Sequence, residues 1–269
     1  MYDKNKINIY GAIGYTIVKK HNHKIILFSD MHDKLKSCDN KINIDEWLKS
    51  KFKSSIILLE EIPRTGMQLE LLWTESEHTL LLQNLYLQNT DLIKAFDIRF
   101  MLIPFSWDLP EQNKICNLKE YVQLLASFYR LKNEYLIKKL NLYNVDKLVN
   151  TILGKHYLIN KNKFIKFIKK NTHLLYNNID SIDKNILREY DDLLNDCMEW
   201  YCCALILENS NKPIIIHTGL YHSDRITKCL KKYYNYDIII KHGITDIENM
   251  KEDSNEGCII LSKNMDLIF

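Results

Sequence analysis

Short, unbroken apolar runs constrain the fold of this chain more than any other feature of its sequence. Residues 24–29 (KIILFS), 54–59 (SSIILL) and 213–216 (PIII) are bounded by polar turn residues, which is typical of strands buried on both faces. Between such runs, apolar residues recur three and four positions apart, as in residues 186–208, which indicates amphipathic helices. Short strands alternating with helices predict an α/β fold with a mainly parallel sheet flanked by helices.

Two further apolar runs, residues 100–105 (FMLIPF) and 236–240 (YDIII), extend the predicted sheet. The stretch from about 117 to 210 has almost no strand signal and indicates a helical insertion or subdomain. Because no repeat, linker or low-complexity segment divides the chain, we expect a single α/β domain spanning residues 1–269, with this insertion at about 117–210.

Composition argues against several partner classes. The 37 basic and 34 acidic side chains give a net charge of only +3, so we expect no nucleic-acid partner. No apolar stretch reaches the roughly 18 residues of a membrane helix, and no signal peptide begins the chain, so we expect no membrane partner. The seven cysteines are odd in number and lack CxxC spacing, which predicts reduced thiols in a cytoplasmic protein. The oligomeric state is left open.

Polar residues that can carry chemistry gather where the predicted strands end. In open α/β sheets, ligands bind beyond the carboxyl ends of the strands. Polar residues follow four of the predicted strands, and together they predict a site. The residues concerned are Asp30 and His32 after the first run, Glu60, Glu61 and Arg64 after the second, Asp108 after residues 100–105, and His217 and His222 after residues 213–216.

Asp30 and His32 stand two residues apart, so in an extended segment their side chains face the same way. Carboxylate and imidazole on one face can share a metal ion, or act as a base and its orienting partner. The alternative is a helix cap and a surface histidine. His217 and His222 flank Gly219, which permits a tight turn, so both can converge on one point at the start of a helix.

Glu60 and Glu61 directly follow an apolar run, so one of them is expected to point inward and to need a cationic partner. We favour Glu61 for the inward position and Arg64 as its partner, with an ordinary loop ion pair as the alternative. The residues assigned to substrate contact are Glu60, His78, Asp108 and Tyr221.

At these positions the sequence resembles a superfamily that includes erythromycin esterases, ChaN-like haem-uptake proteins and TraB/Tiki-type metalloproteases. In ChaN-like members an apolar strand ends in Gly-Glu-x-His-Asp, and residues 29–33 (SDMHD) are similar, with Ser for Gly and Asp for Glu. A second strand ending in glutamate resembles residues 58–61 (LLEE), and a late Gly-x-x-His turn resembles residues 219–222 (GLYH). The resemblance implies a parallel-sheet core with helical insertions, in which His32, Glu61 and His222 are metal ligands or acid/base groups.

These observations together predict a metal-assisted hydrolase that cleaves an ester or amide bond of a small-molecule or peptide substrate. One divalent metal ion would polarise the carbonyl group and activate water. The predicted catalytic residues are His32, Glu61, Arg64 and His222. The predicted metal ligands are Asp30, His32, Glu61, His217 and His222.

Three alternatives stay open at this level. The first is a non-enzymatic ligand-binding or host-interaction protein on the same fold, and the second is a small-ligand or haem-binding module. The third is a degenerate metallophosphoesterase, because Asp30 and His32 match the opening Asp-x-His of the calcineurin-like enzymes. The later Gly-Asp-x-x-Asp, Gly-Asn-His-Asp/Glu and Gly-His-x-His motifs of those enzymes are absent from the sequence.

Overall fold

The structure is a computed structural model that describes residues 6–63, 76–103, 117–130, 152–250 and 256–262. The chain divides into two compact units, Met1–Phe96 together with Cys202–Phe269, and Asp97–Tyr201. The first unit contains strands and helices, and its larger sheet is mostly parallel, which confirms the predicted α/β class.

Among the described residues, all of the strands belong to the first unit. They are β1 (Lys6–Tyr10), β2 (Gly14–Lys20), β3 (His23–Asp30), β4 (Lys41–Asn43), β5 (Ile56–Leu59), β6 (Ile93–Ala95), β7 (Ile214–Gly219), β8 (Asp237–Gly243) and β9 (Cys258–Ser262). The α-helices of the described ranges are α1 (Ile44–Ser50), α2 (Glu77–Gln88), α3 (Leu118–Tyr129), α4 (Ile152–Lys170), α5 (Lys184–Glu208) and α6 (Leu220–Tyr234).

The strands form two sheets. The larger sheet has the order β6-β5-β7-β3-β2-β8, and the smaller has the order β4-β1-β9. In the larger sheet β6, β5, β7 and β3 run parallel, whereas β2 pairs antiparallel with β3 and with β8. The carboxyl ends of β5, β7 and β3 therefore lie side by side at one edge of the sheet.

The continuous apolar runs occupy the centre of the larger sheet. Every residue of β7 is buried, as are the last six of β3, because a central strand needs apolar side chains on both faces. Phe28 of β3 meets Trp47 of α1 edge to face, with ring centroids 5.3 Å apart, and Leu82 of α2 joins the same core. Burial of an aliphatic or aromatic side chain of this kind stabilises the fold by roughly 2 kcal/mol.

The third predicted strand is wrong in its position. The run 100–105 begins inside a single 3-10 turn of the second unit, Arg99–Met101, and residues 104 and 105 lie outside the described part of the chain. The three-residue strand β6 lies beside β5 instead. A strand this short displays no periodicity, so its sequence carries no usable strand signal.

The expectation of a fully reduced set of cysteines is wrong for one pair. Cys38, in the loop after β3, and Cys258, on β9, form a disulfide with their Cα atoms 6.2 Å apart. The β1–β9 ladder places Cys258 opposite Tyr10, and the Gly257 amide donates to the carbonyl of Lys36, which holds the loop against β9. The predicted cytoplasmic location stays a prediction.

The second unit is helical and has an aromatic interior. Trp200 is buried, and its indole N–H donates to the carbonyl of Leu153 over 3.0 Å. The rings of Phe128 and Tyr157 pack around it at centroid distances of 6.1 and 5.3 Å. The unit overlaps the segment predicted as a helical insertion. Across the described ranges, no helix is long and apolar enough to cross a membrane.

Candidate active site

The site lies at the carboxyl ends of three neighbouring parallel strands. Asp30, at the end of β3, pairs with Gly219, at the end of β7. Glu60 follows β5, and its amide donates to the carbonyl of His217 over 3.1 Å, so the β5–β7 pairing continues one residue past the strand. This register brings Asp30 and Glu60 to either side of the end of β7, as the strand-end argument predicted.

The carboxylate of Glu60 is the centre of the site. Its Oε2 accepts hydrogen bonds from the Thr218 hydroxyl at 2.5 Å and from the Gly219 amide at 2.8 Å. The Nε2 of His32 lies 3.7 Å from the same oxygen, and the Nε2 of His222 lies 3.5 Å from Oε1. Two imidazoles from different elements therefore meet at one buried carboxylate.

Asp30 links His32 to a third histidine. Its Oδ2 lies 3.1 Å from Nδ1 of His32, and its Oδ1 lies 2.8 Å from Nε2 of His78, on the first turn of α2. The hydroxyl of Ser76 lies 2.8 Å from Nδ1 of His78 and accepts a hydrogen bond from Thr79. Because Thr79 donates to Ser76, the Ser76 proton is available to Nδ1, and His78 donates to Asp30 through Nε2.

The two carboxylates fix the charge of His32. Burial alone would lower its pKa, but the hydrogen bonds and charges of Asp30 and Glu60 outweigh burial and raise the pKa of His32 well above its usual range. Burial alone would raise the pKa of Asp30, but hydrogen bonds from His32 and His78 hold that pKa well below the usual range. An ionised Asp30 therefore contacts a protonated His32 at neutral pH.

Exposure differs sharply among the members of this cluster. The side chains of Asp30 and His78 are each 1% exposed and that of Glu60 is 7% exposed, whereas His32 is 35% exposed. His32 is therefore the member most open to an incoming molecule. His78, which we predicted to contact substrate, lies behind Asp30 and orients it.

Gly219 allows the close approach of these groups. A Cβ atom at this position would lie 3.1 Å from Nε2 of His32 and 3.5 Å from Oε2 of Glu60. The glycine of the 219–222 motif is thus explained by crowding at the site as well as by the turn into α6.

His217 is placed apart from the Glu60 cluster. Its Nε2 donates to the carbonyl of Gly11 at 2.7 Å, and Gly11 has a φ of 106°, which favours glycine. Burial lowers the pKa of His217, so the ring is neutral and serves as a hydrogen-bond donor. Its predicted role as a metal ligand stays a prediction.

The remaining predicted residues lie around this centre or beyond the described part of the chain. Tyr221 is 37% exposed and packs edge to face against His222, with ring centroids 5.2 Å apart. Glu61 is half-buried beside Glu60, and the roles predicted for it stay predictions. Arg64 and Asp108 lie outside the described residues.

Two residues of the site, Ser76 and Thr218, were not predicted from the sequence. Thr218 lies between the two residues, His217 and Gly219, that marked the end of β7, so its position was available in the sequence. Ser76 immediately precedes α2, a position that sequence alone assigns to helix capping. Neither hydroxyl is identifiable as part of a site until Glu60 and His78 are placed.

The predicted divalent metal ion stays a prediction, and the donor atoms of the described cluster pair with one another. Among residues 6–63, 76–103, 117–130, 152–250 and 256–262, no group of three or more His, Cys, Asp or Glu side chains is arranged to hold one. The donor atoms face one another: each carboxylate lies between two imidazoles, at hydrogen-bond or ion-pair distance. What the arrangement provides directly is a set of imidazole–carboxylate pairs suited to moving protons.

Comparison with known proteins gives no match: no protein-family model, no curated protein and no solved structure is similar to this chain at a significant level. The resemblance to the erythromycin esterase and ChaN-like superfamily therefore stays a prediction.

Proposed function

We propose that this protein is a hydrolase that cleaves an ester or amide bond by general acid–base chemistry. The observation that carries the proposal is the carboxylate of Glu60, which contacts the imidazoles of both His32 and His222 at the end of the central strands. Hydrolysis of a carbonyl compound needs one group to take a proton from water and another to protonate the leaving group.

The two histidines differ in a way that suits these two roles. His222 and Glu60 form an imidazole–carboxylate pair, the combination of a general base and its orienting partner. His32 is held in its protonated form by Asp30 and Glu60 and is the more exposed of the two. In the proposed reaction, water attacks the carbonyl carbon and gives its proton to His222. His32 then donates a proton to the departing oxygen or nitrogen atom.

A panel of chromogenic substrates tests this function. The purified protein is expected to hydrolyse p-nitrophenyl acetate, p-nitrophenyl butyrate or an aminoacyl p-nitroanilide faster than buffer does. Because general acid–base groups contribute about 10²–10⁴-fold to rate, His32→Gln, Glu60→Gln and His222→Gln should each lower kcat/KM by at least about 100-fold. His173→Gln, an exposed histidine of the second unit, should leave kcat/KM unchanged.

Several outcomes would contradict the proposal. The proposal is wrong if the wild-type protein hydrolyses none of the probes. It is also wrong if the three variants retain the wild-type rate. Thermal unfolding of each variant shows whether a lost rate reflects the site or the fold.

Assays with a chelator and with added Zn²⁺ test the metal-assisted mechanism. If hydrolysis proceeds by acid–base chemistry alone, neither addition should change the rate. A rate that requires the added ion would support the metal-assisted mechanism instead.

A further inference from the structure

His32 reaches the proposed site from a loop and not from a strand. The loop spans residues 31–40, between β3 and β4. Leu35 is the only buried residue of this loop, all of which the structure describes. The position of the His32 imidazole beside Asp30 and Glu60 therefore depends on what holds the loop in place.

The contacts of the loop lead to the smaller sheet. Leu35 belongs to a small apolar cluster with Tyr10 of β1, and its carbonyl accepts a hydrogen bond from the Tyr10 hydroxyl over 3.4 Å. The carbonyl of Lys36 accepts a hydrogen bond over 2.9 Å from the amide of Gly257, the residue before β9. Such hydrogen bonds add little net stability, because water competes for the same groups.

The disulfide is the covalent anchor of the same loop. Cys38 follows His32 in the loop, and its bond to Cys258 fixes the loop to the first residue of β9. With the bond in place, the segment that carries His32 is tied at both ends, by β3 and by the disulfide. Without the bond, the loop is held between β3 and β4 by noncovalent contacts.

We propose that the Cys38–Cys258 disulfide is a redox switch that positions His32 in the site. The inference rests on the proposed function, because the switch controls the same reaction. Both cysteines are half-buried, so a small dithiol can reach the bond between them. The two cysteines are positioning residues, since they act on the reaction through His32.

The switch operates by thiol–disulfide exchange with a dithiol. One thiolate of the dithiol attacks a sulfur of the bond and forms a mixed disulfide with it, and the other cysteine leaves and takes up a proton. The second thiol of the dithiol then attacks its own sulfur in the mixed disulfide and releases the remaining cysteine. Two electrons and two protons pass to the protein in total, and the dithiol becomes a disulfide.

Reduction is expected to release the loop and to withdraw His32 from Asp30 and Glu60, so the site loses its proton donor. Oxidation of the two thiols restores the site. Disulfides persist in oxidising surroundings, and thiol pools reduce accessible disulfides elsewhere. The protein would therefore be active only where the bond survives.

Hydrogen exchange and hydrolysis, measured on the same samples of the full chain, test the switch. Oxidised protein is compared with protein reduced by dithiothreitol, which is removed by gel filtration before the assay. Within minutes, amides of residues 31–37 should exchange at least about tenfold faster in the reduced protein, whereas β3 and β7 should stay protected in both forms. The value of kcat/KM for p-nitrophenyl butyrate should fall by at least about tenfold in parallel.

Three variants show whether the bond acts through His32. Cys38→Ser/Cys258→Ser should match the reduced wild type before and after treatment. Cys229→Ser removes another half-buried cysteine and should respond to the reductant as the wild type does. In His32→Gln, reduction should not lower the residual kcat/KM further, because two changes that remove the same interaction are not additive.

Four results would overturn the proposal. They are loop amides that exchange equally fast in both forms, a released loop with no loss of rate, a further loss of rate when His32→Gln is reduced, and protection lost from β3 and β7 together with the loop. A wild-type protein that hydrolyses none of the probes contradicts the proposed function itself. Unchanged exchange of residues 31–37 in an active enzyme contradicts the switch alone.

Discussion

Asp30 is one of the two carboxylates that set the charge of His32 in the proposed site. It is buried, it receives a hydrogen bond from His78, and it contacts His32 on its other oxygen. Sequence reasoning identified Asp30 and His32 because they stand two positions apart after an apolar strand. It assigned His78 to substrate contact and not to a contact with Asp30, because 48 residues separate the two and only the packing of α2 brings them together.

The raised pKa of His32 predicts how stability depends on pH. A histidine that binds its proton more tightly in the folded state stabilises the fold fully below its unfolded pKa, near 6.5. This contribution is lost as pH rises through the higher pKa of the folded state. The difference in Tm between wild type and His32→Gln should therefore be largest below about pH 6.5 and shrink as pH rises above it. Thermal unfolding across a pH series measures this difference.

His217 supplies a control of opposite sign. Burial lowers its pKa, so its contribution is present above pH 6.5 and is lost as pH falls below that value. The Tm difference between wild type and His217→Gln should therefore shrink at acidic pH. If the Tm difference between wild type and His32→Gln grew as pH rises, it would contradict a His32 that Asp30 and Glu60 hold in its protonated form.

At the scale of elements, the sequence predicts the positions of the central strands and of β8, but it misses the short strand β6 and does not show that β8 lies at an exposed edge. The runs KIILFS and PIII belong to β3 and β7, where burial on both faces requires the apolar side chains that mark them. The run YDIII has the same appearance, yet β8 is an exposed outer strand. Hydrophobicity alone does not separate a strand that the fold buries from one that lies exposed at the edge of the sheet.

The start of α3 gives a prediction for a single helix. The side chain of Asn117 accepts a hydrogen bond from the Glu120 amide at 3.1 Å, which satisfies one of the amides left without a partner in the first turn. Asn117→Ala should lower the free energy of unfolding by about 1 kcal/mol, measured by urea denaturation. Asn162→Ala, in the exposed middle of α4, is the control and should cost nothing. Equal effects of the two changes would contradict the capping role.

At the scale of the whole molecule, the disulfide is the feature that sequence reasoning missed entirely. Cys38 and Cys258 are 220 residues apart, and only the pairing of β9 with β1 brings them together. An odd number of cysteines with no recognisable spacing gives no sign of such a pair. The fold class, in contrast, follows from the alternation of strands and helices along the chain, because that pattern persists whatever the order of the strands.

Removing the disulfide should destabilise the protein. A cross-link over so long a loop restricts the unfolded chain strongly, and its loss typically costs roughly 2–5 kcal/mol. Urea denaturation of the wild-type protein with and without a thiol reductant, and of Cys38→Ser/Cys258→Ser, measures the effect. The double variant should match the reduced wild type and should not respond to the reductant. A wild type equally stable in both conditions would contradict the cross-link.

The same bond has a topological consequence. It turns the backbone from residue 38 to residue 258 into a covalent ring, and the whole of the Asp97–Tyr201 unit lies within that ring. A protease that cuts one peptide bond between residues 38 and 258 opens the ring but releases no fragment. The nicked protein would run as one full-mass species until a reductant separates its two pieces.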